Sequence, residues 1–125
     1  MRKLKDKSSK GKRLEKFFSL KLKELFPSSE TEIKPRIINL RKDFWGLFDG
    51  LTFIKSKRKY IFWQIKGKKL SSNEIKHFWK QSKIFQTADI LILLIEKTHS
   101  GWKIFYNNKK YVTKIEEIKN ILNLQ

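Results

Sequence analysis

Six consecutive apolar residues, Ile90 to Ile95 (ILILLI), stand in a chain of which 34% is charged. A run of this kind marks a strand covered on both faces, and it falls far short of the ~20 residues needed to cross a bilayer. Such a strand needs neighbours on its edges and helices on both sides, and the flanking sequence supplies both. Between Gly11 and Leu25, Leu14, Phe18, Leu22 and Leu25 form one helical stripe, widened by Phe17 and ended by Pro27. Ser71 with Glu74 fits a capping box, and Ile75, Phe78, Trp79 and Ile84 continue an amphipathic helix to about Gln86.

Leu51 to Ile54 and Tyr60 to Ile65 are rich in aromatic and β-branched residues, and the basic link Lys55 to Lys59 between them is short, which predicts a β-hairpin. A helix between that hairpin and the apolar run implies a crossover and hence a mixed sheet. Arg36 to Leu40, after Pro35, is expected as a first strand at a sheet edge. Trp102 to Tyr106 reads as an additional strand, Asn107 to Lys110 as a loop, and Lys114 to Leu122 as a last short helix with Ile115 and Ile118 inward. The class is therefore α/β. A length of 125 residues suits one domain, expected over 11–125 and preceded by a basic flexible arm, MRKLKDKSSK, over 1–10.

The base of the hairpin carries the chemistry. An antiparallel pair sets Asp49 near Gln64, Ile65 and Lys66; a turn centred between Ser56 and Lys57 puts it opposite Gln64, and one residue later puts it opposite Lys66. Period-2 alternation sends Gln64 and Lys66 to one face and Trp63 and Ile65 to the other, and either register is expected to bring Asp49 onto the Gln64 face. A carboxylate, an amide oxygen and an ammonium held together suit a hard divalent cation and a positive group that stabilises an attacked phosphate. Glu15 lies at the edge of the first helix's apolar stripe, and Glu24 falls on its opposite, lysine-bearing side. Asp43 reads as a turn or cap carboxylate, and His77 as a surface or half-buried helix residue.

Thirty Lys and Arg against twelve Asp and Glu give a formal charge of +18, for which the usual compensation is a polyanionic partner. Cys is absent, so disulfides, thiol catalysis and Cys-based zinc sites are excluded. Arg41, Lys42, Lys55, Lys57, Arg58, Lys68 and Lys69 are the expected phosphate contacts, with a solvated surface as the plainer reading of each. No signal-peptide core follows the basic N-terminus, so no membrane partner is expected and the expected location is the cytoplasm of a prokaryotic cell, or of a host cell if a virus encodes the chain.

Asp49 opening the second core strand and Gln64-x-Lys66 closing the third resemble the signature of the PD-(D/E)xK nuclease superfamily. Gly46, Asp49 and Gly50 resemble the G-x-D-G run of its Mrr-like branch, and Lys10, Gly11 and Glu15 resemble the opening of archaeal Holliday-junction resolvases. The resemblance, from about Lys10 to Tyr106, implies an αβββαβ restriction-endonuclease-like core with helices flanking a mixed sheet, here followed by an extra strand and a short helix. It further implies a metal-dependent endonuclease or exonuclease acting on duplex or branched DNA such as a Holliday junction, with catalytic Glu15, Asp49, Gln64 and Lys66. Asp49, Gln64, the Ile65 carbonyl and Glu15 would bind Mg²⁺, with Mn²⁺ as a substitute, and Lys66 would orient the attacking water. Gln64 departs from the usual acid, which implies weaker metal affinity and more weight on Glu15. A homodimer suits cleavage of two strands of branched DNA. The alternative is a non-catalytic basic nucleic-acid-binding protein with a degenerate nuclease fold; a ribosome- or RNA-associated protein fits the charge but not the hairpin constellation.

Overall fold

The computed structural model describes residues 2–34, 36–37, 40–41 and 43–124, and the side chains of 11–34 and 43–124. The chain forms α1 (Arg2–Leu25), β1 (Ser29–Ile33), β2 (Arg36–Ile37), β3 (Leu40–Arg41), β4 (Gly50–Ile54), β5 (Lys59–Lys66), α2 (Ser72–Ser82), β6 (Ile90–Thr98), β7 (Gly101–Phe105), β8 (Tyr111–Val112) and α3 (Ile118–Asn123). Single 3-10 turns follow α2 at Lys83–Phe85 and precede α3 at Ile115–Glu117. Six strands make one mixed, open sheet in the order β1-β4-β5-β6-β7-β8. β5 and β6 are parallel, joined across one face by α2, and every other neighbouring pair in that sheet is antiparallel. No described helix is long and apolar enough to cross a membrane.

The apolar run is the middle of the sandwich. Leu91, Leu93 and Ile95 of β6 join Trp63 and Ile65 of β5, Phe18 and Leu22 of α1, and Ile118 and Leu122 of α3 in one core. Ile92 and Leu94 turn the other way and pack with Phe62, Phe78 and Trp79 under α2. Each such burial contributes roughly 1.5–3 kcal/mol, so both faces of the sheet's centre are firmly held and polar groups at its ends are placed by a rigid frame.

Turn chemistry sets the hairpin. Gly50 pairs with Trp63 and Leu51 with Phe62, which is the register of a turn centred between Ser56 and Lys57. Gly50 is glycine because Trp63 roofs it: a Cβ there would fall 2.1 Å from the indole Cζ2. The indole Nε1 donates to Thr52 Oγ1 at 3.1 Å, and the Thr31 and Thr52 hydroxyls lie 2.7 Å apart, so β1, β4 and β5 are tied by polar bonds inside the sheet. The capping box of α2 is present, with Ser71 as N-cap.

Three expectations are corrected and one strand is added. The first sheet strand is Ser29–Ile33, before Pro35, while Arg36–Ile37 and Leu40–Arg41 pair only with each other. SETEI is polar, and its five backbone pairings with β4 make it a strand where no hydrophobic pattern would. The first helix starts at Arg2, not Gly11, consistent with the good helix propensity of Lys, Arg and Leu; the side chains over 2–10 lie outside those described. Tyr111–Val112 adds an edge strand to β7 that the sequence did not signal. The last helical segment is a 3-10 turn leading into α3, not one helix from Lys114.

Candidate active site

At Asp49 the hairpin forks. Its N–H still donates to Trp63 O at 2.8 Å, but its carbonyl accepts from the Lys34 N–H at 2.9 Å, towards β1. The Ile65 N–H is met instead by the Asp49 side chain, Oδ2 at 2.8 Å. A carboxylate so anchored cannot rotate freely, and its second oxygen is aimed at the Lys34 ammonium, 2.6 Å from Oδ1. Three acids converge on that ammonium: Asp49 at 2.6 Å, Asp43 Oδ1 at 3.0 Å and Glu15 Oε2 at 3.5 Å. The Lys34 side chain is only 9% exposed, those of Asp49 and Glu15 3% and 4%, and that of Asp43 26%. Burial alone would lower the Lys34 pKa, but the hydrogen bonds and charges of Asp49, Asp43 and Glu15 reverse this and hold it above its ordinary value.

Each member arrives by a local rule. Glu15 is carried one turn before Phe18 on the buried side of α1. Lys34 is the first residue past β1, whose end is fixed by the Ile33–Gly50 pairing. Asp43 opens a tight turn, its carbonyl accepting from Gly46 N–H at 3.1 Å, as expected of a turn residue, while its side chain reaches Lys34. Gly46, at φ 68°, serves that turn, and Gly50 makes room for the Trp63 ring, so each of the two glycines flanking Leu47 to Asp49 has its own structural reason to be there.

Gln64 and Lys66 share a face, as alternation requires, but their contacts lie on the α2 side, away from the Glu15 and Lys34 contacts of Asp49. Both line a cavity of about 230 Å³ with Leu70, Glu74, His77 and Phe78. The Gln64 amide donates to Leu47 O at 2.7 Å, which leaves its oxygen as the remaining polar atom. Thus the structure joins Glu15 and Asp49 through Lys34, and the expected single face holding Asp49, Gln64 and Lys66 is divided by the fork. Ile65 enters through its N–H, bonded to Asp49. Across the parallel pair from Lys66 stands Glu96, 5% exposed, accepting from Leu70 N–H at 2.7 Å. Glu74 is held down to about 2 by the Lys68 ammonium and the Ser71 N–H.

Sequence reading missed Lys34 and Glu96. Glu96 had a signal, an acid ending the apolar run at the same sheet end as Lys66; Lys34 had none beyond its place before Pro35.

The expected phosphate contacts fall into two groups. Lys55, Lys57 and Arg58 are exposed at the hairpin tip, where Lys55 pairs with Glu30 at 3.0 Å and Lys57 donates to Asn123 Oδ1 at 3.1 Å. Lys68 and Lys69 follow β5 at its base, Lys68 pairing with Glu74 at 2.9 Å. At ~3.3 Å per residue the six residues from Asp49 to Lys55 span about 20 Å. Lys42, and the side chains of Lys10 and Arg41, lie outside the described residues.

The donor set at the fork is one a hard cation uses, carboxylate oxygens on a fixed frame. Among the described residues, no three His, Asp or Glu side chains are placed as they stand to hold a metal ion. What fits the group is the stand-in: a cation, the Lys34 ammonium, already occupies the point between Asp49, Asp43 and Glu15. No family model, curated protein or solved structure matches this chain.

Proposed function

We propose that the chain hydrolyses phosphodiester bonds of DNA in a divalent-metal-dependent reaction at the fork. The observation that carries this reading is the convergence of Glu15 from α1 and Asp49 from the hairpin base on one buried cation, in a chain of formal charge +18. Three carboxylates against one ammonium leave that spot formally negative by two, so it favours a small cation while the surrounding surface favours a polyanion. The order α1, β1, β4, β5, α2, β6, with the first three of these strands antiparallel and the last parallel to β5, supports an αβββαβ nuclease-like core.

In this reading Asp49 Oδ1 and Glu15 offer the anionic oxygens, and the Ile65 N–H holds Asp49 in the rotamer that presents Oδ1. Asp43, 26% exposed at the rim, adds a third oxygen, while Gln64, bonded to Leu47 O on the α2 side, stands outside this ligand set. A bound Mg²⁺ or Mn²⁺ would supply Lewis-acid polarisation of the phosphate and a more acidic water. Lys66, half-buried beside Gln64, is the cation for charge developing on phosphorus, and Lys68 and Lys69 beside it position the backbone. Cleavage of branched DNA on two strands would take a two-fold dimer.

The second reading, a nucleic-acid-binding protein with a structural acid cluster, is favoured by one observation: the Gln64 amide is engaged by Leu47 O, as a purely structural glutamine would be. Incubation of the protein with linear, flapped and four-way DNA in Mg²⁺ or Mn²⁺ separates the two. Hydrolysis predicts cleavage that chelation abolishes; no cleavage of any of the three leaves the binding protein.

A further inference from the structure

Lys34 has no part in that scheme, yet its side chain is only 9% exposed and its ammonium sits where the carboxylate oxygens converge. An ammonium carries three donors and here meets three acceptors, at 2.6, 3.0 and 3.5 Å. A hard divalent ion would take the same oxygens at shorter range, ~2.0–2.1 Å for Mg²⁺, so the two cannot hold that point together. We propose that Lys34 is a tethered cation that keeps the acid cluster assembled in the metal-free protein, and that a divalent ion enters by displacing its ammonium. This rests on the metal-dependent reading above, and adds to it a built-in competitor that sets how much metal the site requires.

The anchoring of Lys34 suits an exchange. Its backbone is held independently of its ammonium, by the N–H bond to Asp49 O at 2.9 Å and by the β1–β4 pairing that ends one residue earlier. The four-carbon stem can therefore swing while the strand end stays in place. Asp49 is likewise held from the other side by Ile65, so its Oδ1 keeps its direction when the ammonium leaves. The exposed rim is at Asp43, the least buried of the three acids, which makes it the side from which a hydrated ion enters and towards which the ammonium departs.

Pulse acetylation of the wild-type protein, read by mass spectrometry, tests the exchange with the metal alone. In chelator Lys34 is expected to stay unmodified while Lys80 and Lys119, both exposed, react. Millimolar Mn²⁺ is expected to bring Lys34 to the reactivity of those two and to leave theirs unchanged. Lys34 that stays protected in Mn²⁺ overturns the proposal, whether or not DNA is cut. Lys34 exposed by Mn²⁺ with no DNA cleavage keeps the exchange and removes the hydrolytic reading, so the two fail separately. Calorimetry on Lys34→Met gives a second measurement: with the competitor gone, Mn²⁺ should bind at least about tenfold more tightly than to wild type. Binding no tighter than wild type contradicts the proposal, and if this variant does not fold the labelling result decides.

Discussion

The base and the tip of the β4–β5 hairpin hold charge in opposite ways. At the base four charged side chains meet, three of them under a tenth exposed, and each has a fixed partner. At the tip Lys55, Lys57 and Arg58 stand in solvent, and Lys55, its side chain 56% exposed, pairs with Glu30 of a neighbouring strand, 70% exposed. Removing one member of a buried set strands the others without water, whereas an exposed pair gives up little when broken. The base is thus coupled to folding, and the tip is free to exchange its partners for phosphates.

The largest effect that would break this contrast is at Asp49. Asp49→Ala removes the Lys34 partner and the acceptor of Ile65 N–H together, and should cost about 3–5 kcal/mol in urea denaturation measured with chelator present. A loss comparable to that of Lys55→Ala would mean that the base is no more coupled than the tip. Next comes Gly50→Ala, where a Cβ meets the Trp63 ring; overpacking there should cost roughly 1–3 kcal/mol and loosen the fork that aims Asp49, visible as faster amide exchange at Ile65.

The hairpin was legible because aromatic and β-branched runs flank a basic link of turn length, and β6 because nothing polar interrupts it; the hairpin's register was narrowed to two alternatives, and the Gly50–Trp63 pairing selects the first. Glu15 was legible as a helix acid at the edge of an apolar stripe. The first strand was not, since SETEI owes its state to pairing with β4, which is a property of the partner. Nor was Lys34, because thirty basic residues look alike in sequence and only the folded chain brings three acids to this one. The division of Asp49 from Gln64 was hidden for another reason: alternation assumes a ladder that continues, and here the Asp49 side chain replaces the ladder bond at Ile65.

Titration sharpens the comparison with smaller effects. Lys34 has a raised folded pKa, so its contribution is complete below its ordinary value of 10.5 and is lost as pH rises through the higher folded value. With chelator present, wild type should therefore lose stability above pH 10.5 more steeply than Lys34→Met, and added salt should change that difference little. Glu30 at the tip has a lowered pKa, chiefly through its hydrogen bond with Lys55, so its contribution is present above its ordinary 4.5 and is lost as pH falls below that. Glu30→Gln should flatten the acid limb only at low ionic strength, because full exposure leaves the pair to salt screening. An acid limb equally steep in high salt would show the tip pair to be better protected than its exposure implies.

The claim that the base does chemistry while basic residues elsewhere hold the substrate is tested most directly by measuring DNA affinity and Mg²⁺-dependent cleavage side by side in two variants. Asp49→Asn should abolish cleavage with affinity and its salt dependence unchanged. The triple change Lys55→Ala, Lys57→Ala, Arg58→Ala should weaken binding and lower the log–log salt slope by up to ~0.9 per lost phosphate contact, with cleavage at saturating protein unchanged. Cleavage that survives Asp49→Asn, or that disappears in the tip variant while the DNA is fully bound, would contradict the account.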